Sequence, residues 1–411
     1  MIMGEYPTDW KVVKLGDIGD FKNGISKSGD CFGHGVPFVN LLDVFGRSSI
    51  LGRPRLGLIE VTIAEQNVYN LREGDILFVR SSVKPSGVGR TTVLMNDLPN
   101  TVYSGFLLRF RTKSIDKGYA AFCFDESAFR KRVMSASTVS ANTNINQQRL
   151  KGIDLLLPPL PEQRRIAAAL GDMDKLIDNL SKRIEKKKAI KQSAMQELLT
   201  GKKRLPGFCG EWKKKTLGSS ATVKARIGWQ GLTTAEYLKD GDHFLVNGVN
   251  IENGHVNWQT CFMVDEKRYA QDKNIQLQDF DVLVSKDGTI GKVAYVENMP
   301  RTATLNSGVF VIRSVDAELS QEYLARVFLS MWFDDFIEKI TAGSTIVHLY
   351  QKDIVKFAFE IPPSFAEQQA IAKVLSGMDA EIANLERKLE KLKFMKQGMM
   401  QDLLTGKVRL K

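Results

Sequence analysis

Residues 162–205 and 367–410 align without a gap, at an offset of 205, and 24 of their 44 positions are identical. A chain that carries one segment twice must give both copies equivalent surroundings, and few architectures do so. The first copy reads EQRRIAAALGDMDKLIDNLSKRIEKKKAIKQSAMQELLTGKKRL, the second EQQAIAKVLSGMDAEIANLERKLEKLKFMKQGMMQDLLTGKVRL. Both carry helix signals at each end. Pro158-Pro159 and Pro362-Pro363 stop a preceding strand. Pro161 suits a first helical turn, where its missing N–H would be unpaired anyway. Ser364 and Glu367 have capping-box spacing. Gly201 and Gly406 follow the last apolar pair, where a left-handed C-terminal cap belongs.

Between these ends the apolar residues step by four and three. They are Ile166, Leu170, Met173, Ile177, Leu180 and Ile184 in the first copy, and Ile371, Leu375, Met378, Ile382, Leu385, Leu389 and Leu392 in the second. That spacing is a coiled-coil seam, although one face of a core helix would show the same stripe. Two copies with matching flanks favour pairing with each other. Lys191 and Lys396 interrupt the seam at matching places, which loosens packing but fixes register. Glu162 to Thr200 gives roughly 58 Å of helix at about 1.5 Å per residue. A compact domain usually has its termini close together, so the chain re-enters the coil near where it left it. The helices are therefore expected to be antiparallel, with Lys411 near Met1. The turns Tyr6-Pro7 to Trp10 and Pro206-Gly207 to Trp212, followed by Leu15-Gly16 and Leu217-Gly218, suggest a ring of two modules cut at one junction.

The chain has 411 residues, room for two or more domains with their own cores. No apolar run approaches a membrane span and no signal-peptide pattern opens the sequence. Cys31, Cys123, Cys209 and Cys261 are far apart, as are His34, His243, His255 and His348. Neither set has metal or redox spacing, so no zinc site is expected and a reducing cytoplasm fits. The net charge of +11 is uneven: +5 over 1–157, +6 over 158–205, −3 over 206–361 and +3 over 362–411. A basic balance suits a polyanion, and equally a solvated lysine-rich coil.

The fold class expected is α/β: two mixed α/β domains, 1–157 and 206–361, separated by an antiparallel two-helix coiled coil formed by 158–205 and 362–411, in a pseudo-twofold repeat. In the first domain strands are expected at Asp75–Val79, Thr91–Met95, Gly105–Arg111 and Ile153–Leu157, with one helix from Lys117 to about Met134. The second repeats the order with little identity: Asp281–Ser285, Val293–Glu297, Gly308–Arg313, a helix from about Gln321 to Ile340, and a strand ending at Ile361.

One pair of loops concentrates donors. Arg80 to Arg90 (RSSVKPSGVGR) holds Arg80, Ser82, Lys84 and Arg90; Ser285 to Lys292 (SKDGTIGK) holds Lys286, Thr289 and Lys292. Glycine lets backbone approach a phosphate, and these side chains can donate to one. Neither loop has the spacing of a nucleotide-binding P-loop, and a bare hairpin turn remains the alternative. A polar stretch, STVSANTNINQQ, brings Asn142, Asn144, Asn146, Gln147 and Gln148, whose amides can bond adenine bidentately. Its counterpart, TAGSTIVHLYQK, brings His348, Tyr350 and Lys352. Either stretch can also be a polar surface loop. No nucleophile motif, His-containing acid–base pair or dinucleotide-binding glycine turn is found, so the reading is a binding protein.

Taken together, Pro158-Pro159 with Glu162-Gln163, Pro362-Pro363 with Glu367-Gln368, and the duplicated Leu-Leu-Thr-Gly-Lys at 198–202 and 403–407 resemble the DNA specificity subunit of type I restriction–modification systems. The resemblance covers the full length. Gly291-Lys292 also resembles the family's variable domains, whereas the first domain departs there with Gly89-Arg90. It implies that each globular domain is a target recognition domain reading half of a bipartite site in double-stranded DNA. It implies that the paired helices set the gap and dock two adenine methyltransferase subunits, and that restriction/translocase subunits join the complex. No cofactor is then expected on this chain; S-adenosylmethionine, ATP and magnesium belong to the partner subunits. The alternative is a coiled-coil scaffold that reads no sequence.

Overall fold

A computed structural model describes residues 7–52, 54–139, 142–228, 231–342 and 348–410. The closure expected at Met1, Tyr6 and Lys411 lies outside them, as do Ser140, Ala141 and 343–347 of the two polar stretches. The chain divides into two compact units: Met1–Lys182 with Arg387–Lys411, and Arg183–Glu386.

In the first unit a five-stranded sheet runs Gly19–Asn23, Leu107–Thr112, Ile76–Val79, Thr91–Leu94, Ser49–Ile50. Its first three pairings are antiparallel and the last is parallel. Apolar alternation sets its register: Phe110 lies opposite Phe21 and Ile76, and Phe21, Phe78, Phe110, Phe124 and Phe129 share one core. In the second unit the corresponding sheet runs Ala221–Ala225, Val309–Ser314, Val282–Ser285, Val293–Tyr295, all antiparallel. The strand Phe32–Val39 pairs parallel with Val102–Tyr103, as His243–Val246 does with Ala303–Leu305. Even the buried acids repeat: Arg111 grips Asp75 and Arg313 grips Asp281, each with two nitrogens on two carboxylate oxygens.

The single helix expected in each domain is two. Lys117–Cys123 is followed by Ser127–Ala136, and Gln321–Phe328 by Met331–Thr341. The first break is made by Glu126, whose carboxylate accepts the N–H groups of Ala128 and Phe129 and so starts a new helix. In the second unit Ser330 stands at the start of the new helix. The strands expected from Gly105 and Gly308 begin later, at Leu107 and Val309, because each glycine lies in a turn.

The repeated stretches form helices at Leu160–Leu199 and Phe365–Leu404. Within the first unit Arg409 pairs with Glu162 and Lys396 with Asp174. Within the second, Arg204 pairs with Glu367 and Lys191 with Asp379. In both units partners fall in number as residues rise, so each helix pair is antiparallel. The two seam lysines each meet an aspartate at the matching position of the other copy, which pins the register.

The seam serves two purposes. Ile166 and Leu170 join the first unit's sheet core with Trp10, Leu403 and Leu404, while Ile371 and Leu375 join the second's with Leu198 and Leu199. Leu180, Ile184, Ile382 and Leu392 are also buried, and Met173, Ile177, Met378, Leu385 and Leu389 are half-buried. The core-helix reading holds at the helix ends and the paired-helix reading along their length.

The Glu-Gln dipeptides lock each helix to its domain. Glu162 is buried against Arg409 and accepts from Trp10 Nε1 at 2.9 Å; Glu367 is buried against Arg204 at 2.5 and 2.6 Å. The Ser364 hydroxyl accepts the Glu367 N–H at 3.4 Å, but the Glu367 side chain turns to Arg204 instead of completing the capping box. Gln163 accepts from the Asp116 N–H and donates to the Ser114 and Pro158 carbonyls; Gln368 does the same with Ser320, Glu318 and Pro362. Arg409, with Trp10, holds the Glu162 carboxyl below the usual carboxylate range. A carboxylate with a depressed folded pKa stabilises above its unfolded value and loses that contribution as pH falls through the folded one. Replacing Glu367 by alanine strands Arg204 and should cost about 2 kcal/mol. Urea unfolding of the full chain, with an unchanged midpoint as the contrary result, checks this.

Candidate nucleic-acid interface

In the first unit the strand Ile76–Val79 runs into Arg80, and Ser81–Ser82 then pairs antiparallel with Thr143–Asn144. The donor loop and the asparagine stretch, far apart in sequence, lie side by side. The Arg80 N–H donates to the Phe106 carbonyl at 2.8 Å, and the Arg80 carbonyl accepts from the Ile145 N–H at 2.9 Å. The second unit repeats these bonds: the Lys286 N–H donates to Gly308 at 2.9 Å, and the Lys286 carbonyl accepts from Leu349 at 2.7 Å. Asp287 bridges His348 as Ser81 pairs with Asn144. Asn146 and Tyr350 both precede short helices, Gln147–Lys151 and Gln351–Ile354.

The frame therefore repeats while the side chains on it differ. In the first unit Lys84 is exposed and makes no ion pair among the described residues. Arg80 is half-buried and reaches the Gly105 carbonyl at 3.3 Å. Arg90 pairs with Asp125 at 2.6 Å. Ser82 is only 7 % exposed, so it shapes the loop from inside. The Asn144 amide donates to the Asn142 carbonyl at 2.9 Å. Asn146 caps its helix by accepting the Arg149 N–H, and Gln147 is tied to Asn23. Gln148 is exposed.

In the second unit the Lys286 ammonium lies over the Phe310 ring at 5.8 Å and 3.4 Å from Asp287, with its side chain 13 % exposed. His348 is paired with Asp287 and sits edge-on to Tyr350 at 4.7 Å. Tyr350 is exposed, and the Lys352 ammonium lies 5.4 Å from its ring centroid. Thr289 is exposed, and Lys292 is half-buried with its N–H on Ser285 Oγ at 2.9 Å.

The loop glycines are not all open backbone. Gly89 and Gly291 have φ of +65° and +83°, and each backs onto a helix: a Cβ there would overlap Val133 or crowd Ile337. They are needed for the turn and for packing. Gly288, with φ of +68°, faces open space and is the glycine that leaves room for an approaching backbone.

Sequence reasoning missed Phe106 by assigning it to a strand. It is 58 % exposed at a turn tip and lines two hollows. One, of about 800 Å³, is bounded also by Phe45, Arg47, Lys84 and Asn142; the other, of about 370 Å³, by Lys27, Arg80 and Asn144. A lone aromatic between glycine and two leucines was the available signal. The described residues include no cluster of His, Cys, Asp or Glu able to hold a metal, and no helix long and apolar enough to cross a membrane.

A family model described as the type I restriction modification DNA specificity domain matches this chain twice, over residues 7–191 and 210–393. The chain belongs to that family. Each match takes in one donor loop, its polar partner stretch and most of the long helix that follows. The type I restriction enzyme MjaVIII specificity subunit of Methanocaldococcus jannaschii is 22 % identical over 98 % of this chain and 94 % of its own length. The S subunit of a type I restriction–modification system from M. genitalium shares the fold, with a TM-score of 0.61 at 14 % identity over 98 % of both chains. So does a chain from a study of complex assembly and conformational transition in the type I system, with a TM-score of 0.61 at 15 % identity over 98 % of this chain and 100 % of that one. Membership thus rests on sequence across both repeats, and the solved structures share the α/β-plus-long-helix fold.

Proposed function

We propose that this specificity-family chain is a non-catalytic reader of a bipartite, asymmetric site in double-stranded DNA. Residues 1–157 act as the first target recognition domain and 206–361 as the second. The observation that carries this is the repeated backbone frame at Arg80, Ile145 and Phe106 and at Lys286, Leu349 and Gly308, dressed with unlike side chains. One frame with two sets of donors fits two different half-sites, whereas identical readers would call for a palindrome.

Lys84, Asn142, Asn144, Thr289, Lys292, Tyr350 and Lys352 present themselves for contact. Arg80, Arg90, Lys286 and His348 reach DNA by relaxing internal bonds. Ser82, Asn146 and Gln147 support the loops. The spacer segments 158–205 and 362–411 set the gap and dock two copies of an adenine methyltransferase subunit. Ile190 and Met395, 205 residues apart, are exposed apolar side chains at equivalent helix positions, as two equivalent docking sites require. S-adenosylmethionine belongs on the methyltransferase, ATP and magnesium on restriction/translocase subunits, and the assembly in the cytoplasm.

The test is selection from a random duplex pool by the chain with its methyltransferase, with methylated adenines mapped in the host genome. One bipartite motif recovered by both is the expected result. A pool from which no sequence emerges would leave the coiled-coil scaffold reading.

A further inference from the structure

We infer that Phe106 is an aromatic wedge that enters a base step of the first half-site; this rests on the DNA-reading function proposed above. Phe106 is held where a wedge must be. The Ser104 carbonyl accepts the Leu107 N–H at 2.9 Å, which places Gly105 and Phe106 at the tip of a tight turn. That turn is anchored on three sides. Gly105 donates to the Ile25 carbonyl at 2.7 Å, Ser104 donates to Val39 at 2.9 Å, and the Phe106 carbonyl accepts from Arg80 at 2.8 Å. A Cβ on Gly105 would overlap Ser26 Oγ, so the turn is packed from behind and cannot retreat.

Phe106 is 58 % exposed, so its ring is available for contact at the turn tip. It forms the ridge between the hollows of about 800 Å³ and about 370 Å³. Cations stand on both sides: Lys84, Arg47 and Arg90, the last paired with Asp125, line the first hollow, and Arg80 and Lys27, the latter paired with Glu65, the second. Basic side chains on both sides of a rigid apolar ridge match the way proteins insert phenylalanine between base pairs and unstack them. An apolar partner protein would not call for that ring of cations.

At the corresponding turn the second unit carries no aromatic ridge among its described residues. The same turn, Asn306 to Val309, carries Gly308 where the first carries Phe106, with the Lys286 N–H on its carbonyl. The wedge therefore acts on one half-site only. It reads the ease with which a step unstacks and needs no hydrogen bond to a base edge.

The experiment uses the chain in complex with its methyltransferase and duplexes carrying 2-aminopurine at successive positions of both half-sites, the methylated adenines excluded. A fluorescence rise confined to one step of the first half-site, lost in Phe106→Ser and kept in Phe106→Trp, is expected. Binding by Phe106→Ser should weaken about tenfold, the size of one lost stacking contact. The exposed position makes folding of both variants secure, and unchanged contacts at the second half-site would report it. Sequence-specific binding by the unaltered complex with no unstacked step, or with a rise that survives Phe106→Ser, overturns the wedge and leaves the DNA-reading function standing. Absence of any sequence-specific binding overturns both.

Discussion

A chain with Gly89→Val should unfold at markedly lower urea concentration than the unaltered chain, with a loss of about 3 kcal/mol. Two costs add. A β-branched residue at φ of +65° occupies the left-handed region at a cost of roughly 1–2 kcal/mol. The new Cβ also overlaps Val133 on the helix Ser127–Ala136, and overpacking a core costs roughly 1–3 kcal/mol. Gly291→Val should behave alike against Ile337. Gly288→Asn is the informative contrast, because asparagine tolerates positive φ and Gly288 has open space around it. Its urea midpoint should stay close to the starting one. If Gly89→Val were as benign as Gly288→Asn, Gly89 would be a ligand-facing glycine after all, and the packing account of these loops would fall.

Asn144→Ala should relax base preference at one position of one half-site by roughly 1–3 kcal/mol, or about 5- to 150-fold in relative affinity. Lys84→Ala should instead weaken binding to every sequence and lower the slope of log affinity against log salt by about one. The two residues stand on neighbouring segments of one frame, yet a bidentate amide specifies a base and an ammonium ion positions a backbone. Selection from degenerate duplexes at two salt concentrations measures both. Loss of discrimination in the second half-site by Asn144→Ala would show that 1–157 does not read a half-site of its own. An unaltered salt slope for Lys84→Ala would remove it from the phosphate contacts.

Much of this protein was legible without coordinates. The long helices and the matching places of Lys191 and Lys396 follow from spacing, because a helix repeats its faces at a fixed period and a stripe of side chains records it. Their antiparallel sense follows from connectivity, because a compact domain returns the chain near where it left the coil. The donor loops and polar stretches were legible as separate candidates. That they are neighbours was not, since the pairing of Ser82 with Thr143 and of Asp287 with His348 joins positions that no local period links. The single helix expected after Lys117 failed for a local reason: apolar periodicity runs through the break, and Glu126 wins by capping the N–H groups that follow it. Phe106 was hidden because an aromatic beside two leucines looks like strand until the Ser104–Leu107 turn is seen.

By itself the sequence determined the duplicated scaffold: two helices, two α/β domains and the signature by which their family is known. These depend on patterns that short-range physics enforces. Only the tertiary structure decided that Glu162 and Glu367 are buried partners of Arg409 and Arg204, that Glu367 does not complete a capping box, that Gly89 and Gly291 face helices and not ligand, and that the exposed Phe106 stands between two hollows in the first unit. A side chain's role at such points is set by what the fold brings against it.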